Sequence, residues 1–164
     1  MRVCTIGVYG ASADTFFAAL QDARADVLID VRLRRAVRGA RYAFANAGRL
    51  TAELERRGIA YRHERGLAPT AEMLKIQHEA DARAKRRYSE RTQLAPAYVK
   101  RYAVLLDRFD FAALARELEG FRAPALLCVE RIPEACHRSL AAPRLAEALG
   151  TDKVEHLVPA ESHP

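Results

Sequence analysis

Short apolar runs alternate along this chain with longer stretches in which apolar positions recur every three or four residues, a pattern that predicts strands separated by helices. The first strand signal covers Arg2 to Tyr9 and stops at Gly10, after which Ser12 or Asp14 can cap a helix over about Thr15 to Ala23. Val27-Leu-Ile-Asp30-Val-Arg32 is nearly continuous in apolar character, as strands buried on both faces of a parallel sheet are. Arg34 to Asn46 shows little periodicity and reads as a loop. A helix is predicted over Leu50 to Arg57, closed by Gly58, and a third strand over Ile59 to His63.

Gly66 to Pro69 interrupts the pattern, and Ala71 to Tyr88 then has strong helical propensity but is charged around most of its circumference. Such a helix is a solvated excursion more often than a core element, and its basic end could equally cover a site. Pro96 marks a new start, with helical segments over Tyr98 to Leu106 and Phe111 to Leu118 closed by Gly120. Ala123 to Val129 is the most convincing buried strand; Ser139 to Leu149 reads as the final helix and Val154 to Val158 as the last strand. The expectation is an α/β fold: a single domain over residues 1–164, with a mainly parallel sheet flanked by helices in three layers (α/β/α) and a charged helical excursion at about 71–95.

Composition changes that picture only at its margins. A chain of 164 residues, half of them hydrophobic, is long enough for one well-buried core and short for two. Lys plus Arg number 27 against 21 Asp plus Glu, a net charge of +6 that favours phosphate-bearing partners or simply solubility. Lysine occurs only at positions 75, 85, 100 and 153, so arginine, the better bidentate anion ligand, carries most of the basic charge. Three cysteines cannot all pair and do not make a disulfide scaffold, and no signal-like or membrane-spanning apolar run is present, which predicts a cytoplasmic protein without membrane association.

Polar chemistry gathers where the predicted strands end. In a parallel sheet those ends share one edge, where ligands bind, so Tyr9, Gly10 and Ser12, then Asp30, Arg32 and the arginine-rich loop, then His63 and Glu64, then Cys128, Glu130 and Arg131 are expected to converge. The densest segment is Cys128-Val-Glu130-Arg131-Ile-Pro-Glu-Ala-Cys136-His137-Arg138. With Thr5-Ile-Gly7-Val-Tyr9-Gly10, Leu28-Ile-Asp30-Val-Arg32 and the closing Cys136-His137-Arg138-Ser139, it resembles the bacterial and archaeal proteins called domain of unknown function 488 over most of the chain. The resemblance implies a single α/β domain and no particular reaction. Arg35 and Val37 stand where that family's pattern has Pro and Ser, which leaves Arg32 and Arg38 in place for an anion but removes any hydroxyl at 37.

Two classes of function follow. The first is a small enzyme working by hydrolysis or group transfer on a phosphate-bearing substrate, a nucleotide or nucleic acid. Arg32, Arg38, Arg131 and Arg138 would hold the anion, Tyr9 and Ser12 would supply hydroxyls, Glu130 with Asp30 or His137 would move protons, and Cys136 would be a nucleophile at a helix start. The second is a non-catalytic nucleic-acid or nucleotide-binding module using the same arginines, with Arg34, Arg35 and Arg41 beside Tyr42 and Phe44, and with Arg83 to Tyr88 extending the surface. A redox sensor built on Cys136 is a third reading. Each group also has a structural alternative: Cys128 as a small buried hydrophobe, and Asp30 and Glu130 as ion-pair partners of arginine. No cofactor fingerprint is present, and the spacing of Cys128, Cys136 and His137 matches no common zinc pattern, so neither cofactor nor metal is assigned.

Overall fold

The computed structural model describes residues 1–87 and 90–162. Within them the chain runs β1 (Val3–Gly7), α1 (Ala13–Asp22), β2 (Val27–Asp30), α2 (Ala47–Arg56), β3 (Ala60–His63), α3 (Ala71–Arg83), α4 (Pro96–Arg108), α5 (Phe111–Glu117), β4 (Pro124–Cys128), α6 (Arg138–Ala148) and β5 (Val154–Leu157). The strands form one sheet of order β3-β2-β4-β1-β5 with every pair parallel. β4 and β1 are therefore central, and both are buried along their whole length.

Alternation along each strand sends its side chains to two cores. Cys4, Ile6, Leu28, Ala125 and Leu127 pack with Phe16, Phe17 and Leu20 of α1 and with Leu50 and Leu54 of α2. Val3, Val27, Ile29 and Leu126 face the other way, onto Met73 of α3, Tyr98 and Tyr102 of α4, Leu114 of α5 and Leu145 of α6. These are the three layers that the strand and helix pattern predicts.

Two segments differ from their sequence reading. The loop expected over Arg34 to Asn46 contains a short 3-10 helix, Ala40–Ala45, because Phe44 and Ala45 have an apolar floor to cover against α1. The long charged helix ends at Arg83 with the chain turning through Lys85 at φ 50°, and Tyr88 lies outside the described residues. Most charges on α3 face water, but Met73, Gln77 and Asp81 form a buried stripe at four-residue spacing.

Leu126 is fully buried at the centre of the sheet. Leu126→Ala is expected to lower the unfolding free energy by about 3 kcal/mol in urea titration; a loss under about 1 kcal/mol would contradict the placement of this core.

Candidate functional site

The chain leaves the two central strands in opposite directions: α1, which follows β1, lies on one face, and α6, which follows the adjacent β4, lies on the other, the arrangement beyond whose carboxyl ends open parallel sheets bind ligands. The backbone there is drawn tight: the amides of Val8 and Tyr9 both donate to the Val129 carbonyl, at 3.1 and 2.9 Å. A Cβ on Gly7 would stand 1.9 Å from the Glu130 carbonyl oxygen, so only glycine allows this approach.

Arg138, one of the four arginines expected to hold an anion, is built into this edge of the sheet. Arg138 is fully buried, and its Nη1 and Nη2 donate to the carbonyls of Glu130 (2.6 Å) and Arg131 (3.1 Å), while Nε donates to Thr5 Oγ1 (3.4 Å). Thr5 Oγ1 also lies 2.8 Å from His156 Nδ1, within hydrogen-bond distance, and burial, reinforced by the charge of Arg138, holds the His156 imidazole below its ordinary pKa.

Arg32 is likewise a strut. Its Nε and Nη2 grip both oxygens of Asp30 (2.8 and 2.7 Å) and its Nη1 donates to the Ala45 carbonyl (2.9 Å), with Tyr61 completing the carboxylate at 2.7 Å. Burial opposes the charge on Arg32, but the hydrogen bonds and negative charge of Asp30 outweigh it and raise the guanidinium pKa. Through Arg32 this carboxylate is tied to the Ala45 carbonyl in the loop after β2.

Glu130 is also buried, accepting from Arg91 Nη1 at 3.3 Å. Arg91 in turn grips Asp81 through Nε and Nη2 (3.0 and 2.6 Å), and Gln77 bridges Asp81 to the backbone of Ala95. Burial would raise the Asp81 carboxyl, yet the bonds from Arg91 and Gln77 prevail and hold it below its ordinary value. Arg91, Asp81 and Gln77 drew no attention in the sequence because they sit in a charged stretch without apolar periodicity; the four-residue spacing of Met73, Gln77 and Asp81 was the available signal.

His137 is buried at the N-cap of α6. Its Nε2 lies 2.9 Å from the Val31 carbonyl, and its Nδ1 faces two sulfurs, Cys136 Sγ at 3.7 Å and Cys128 Sγ at 3.8 Å. All three residues are buried, with Cys136 only 2 % exposed, so Cys136 is not presented to solvent as an open nucleophile would be. Burial opposes ionisation of Cys136, yet the hydrogen bond from Cys128 and the positive charge of Arg138 hold its thiol well below the ordinary value, while the hydrogen bond with Cys136 and burial push Cys128 well above it. Ser12, expected as a ligand hydroxyl, caps α1: it accepts from the Thr15 amide at 3.1 Å while Thr15 Oγ1 accepts from the Ser12 amide at 3.0 Å.

What remains open to solvent is the rim. Arg34, Arg35, Arg38 and Arg41 are exposed and Arg131 is partly so. Tyr9 and Tyr42 pack at 5.2 Å, the guanidinium of Arg41 lies over Tyr42, and the Gly10 amide donates to the Tyr42 hydroxyl. The C-terminal segment lies along the same rim: Arg131 pairs with the Glu161 carboxylate at 3.2 Å and donates to the Pro159 carbonyl, and Arg41 donates to the Ser162 carbonyl.

A parallel α/β fold with braced interior charges and a basic carboxyl rim is thus the class the structure defines. The chain belongs to the family described as Domain of unknown function DUF488, whose model matches residues 12–145, from the cap of α1 into α6. No curated protein and no solved structure matches the chain. No helix among the described residues is long and apolar enough to cross a membrane.

Gly7→Ala is expected to cost about 2 kcal/mol or more, because the methyl meets a backbone carbonyl that Arg138 holds in place; a melting curve matching wild type would contradict the tight approach. For Asp81 the folded-state pKa is lowered, so its pairing stabilises the fold fully above its ordinary 3.8 and loses that contribution as pH falls through the lower folded value. Asp81→Asn is therefore expected to lower stability by about 2–3 kcal/mol at neutral pH, with the gap to wild type closing in acid denaturation series below about pH 4. A gap independent of pH would refute the pairing.

Proposed function

We propose that the protein binds the phosphates of single-stranded nucleic acid along the carboxyl rim of the sheet, as a binding module rather than a hydrolase. The observation that carries this reading is the exposure of Arg34, Arg35, Arg38 and Arg41 in the loop after β2, with Arg41 lying over the Tyr42 ring and Tyr42 packed on Tyr9, while Asp30 and Glu130 are paired inside. Guanidiniums spread over a rim suit a backbone of repeated phosphates better than one small anion. Aromatic rings among them offer faces for unpaired bases. Arg131, which already grips the Glu161 carboxylate, is a further anion contact on the same rim.

The enzyme reading has less support. Glu130, Asp30 and His137 each have a fixed interior partner, and a buried ion pair orients a fold as readily as it prepares a reaction.

Binding of a fluorescent single-stranded oligonucleotide across a salt series tests the proposal. Each arginine lost from a phosphate contact reduces the log–log salt slope by about 0.7, so replacing Arg34, Arg35 and Arg38 together by Ala is expected to reduce it by about 2. Absence of binding at low salt, or an unchanged slope in the triple variant, would overturn the reading. Turnover of a nucleotide that vanishes in Glu130→Gln would replace it with the enzyme.

A further inference from the structure

We infer that Cys128, Cys136 and His137 form a binding site for a thiophilic divalent metal ion of the zinc class, a role separate from the basic rim. The alternation of β4 turns Cys128 to the same face as Leu126, the face that α6 covers, and the turn before α6 brings Cys136 and His137 against it. The donor atoms of the three side chains all lie within 4.8 Å of one another.

Geometry favours a shared ion over a simple polar contact. Tetrahedral zinc with Zn–S of about 2.3 Å and Zn–N of about 2.0–2.1 Å separates sulfur from nitrogen by about 3.6 Å. The two separations here are 3.7 and 3.8 Å. The Val31 carbonyl can only accept, so the hydrogen bond to it at 2.9 Å places a proton on Nε2 and leaves the Nδ1 lone pair directed at the sulfurs. Anchoring of one ring nitrogen by a backbone carbonyl is how metal-binding histidines are oriented. Tyr102 packs edge-on against the ring at 5.2 Å and fixes its rotation.

Charge balance agrees. Two thiolates, one neutral imidazole and a divalent cation sum to zero, whereas two thiolates without a cation would be costly in this interior. Among the described residues no fourth His, Cys, Asp or Glu joins the group, so the protein offers three ligands and leaves the fourth position to a small non-protein ligand. Loading is written as one M²⁺ binding the Cys128 and Cys136 sulfurs and His137 Nδ1, with any proton still held by either sulfur released to solvent. The ion would pin the start and end of the 128–138 segment, from which Arg131 projects onto the rim.

The test is anaerobic titration of Co²⁺ into the reduced, chelator-treated full chain. One equivalent is expected to bind with sulfur-to-metal charge transfer and tetrahedral ligand-field bands, and to be displaced by Zn²⁺. Cys128→Ser, Cys136→Ser and His137→Gln are expected to remove or strongly shift these bands, and Cys4→Ser, whose thiol lies in the opposite core, to leave them unchanged. Folded wild-type protein that gives no bands would overturn the inference whatever the variants do. So would bands that survive in Cys136→Ser, or a Cys128–Cys136 disulfide persisting under reductant. Oligonucleotide binding by metal-free protein is read separately, so loss of the metal site and failure of the rim proposal are distinguishable.

Discussion

The guanidinium of Arg138 is the contact on which the rest of the carboxyl rim depends. It sits at the first turn of α6, without access to solvent, and reaches the carbonyls that follow β4 and the Thr5 hydroxyl of β1. One side chain thereby fastens two central strands and a helix where the chain leaves those strands in opposite directions. Its planar fork of donors suits carbonyls diverging from one loop, which a lysine ammonium cannot match. Gly7 is the complement of that contact, since the loop comes so close to β1 only where a side chain is absent.

Interior charge is handled by the same logic elsewhere. Arg32 satisfies Asp30 and the 3-10 segment, and Arg91 satisfies Asp81 and Glu130, so each carboxylate in the interior of the rim meets a guanidinium with directional hydrogen bonds. Removing one partner of such a pair strands the other, which makes these groups costly to alter and poor candidates for repeated proton transfer. The proposed contact with an outside partner therefore rests on the arginines that the fold leaves in water.

The layers and the order of strands and helices were legible because apolar periodicity is set locally and buried parallel strands are apolar throughout. The convergence of the polar strand ends was legible too, since a parallel sheet puts them on one edge. Whether Arg32 and Arg138 faced a ligand or a carbonyl was not: a guanidinium serves both, and only the path of the 128–138 segment over β1 decides. Cys128 and Cys136 looked unrelated at a spacing that fits no familiar metal pattern, because their meeting requires knowing that α6 covers the face to which Cys128 points. Arg91 was out of reach altogether, lying in a charged segment whose tie to Glu130 spans 39 residues.

Interior arginines brace the fold while exterior arginines are the proposed ligands, and Arg138→Lys measures that division most directly. Equilibrium unfolding in urea is predicted to show a loss of about 3 kcal/mol or more, the order expected when a buried charge loses its hydrogen-bond partners. A variant as stable as wild type, weakened only in its hold on an anionic ligand, would contradict the account and return Arg138 to the binding surface.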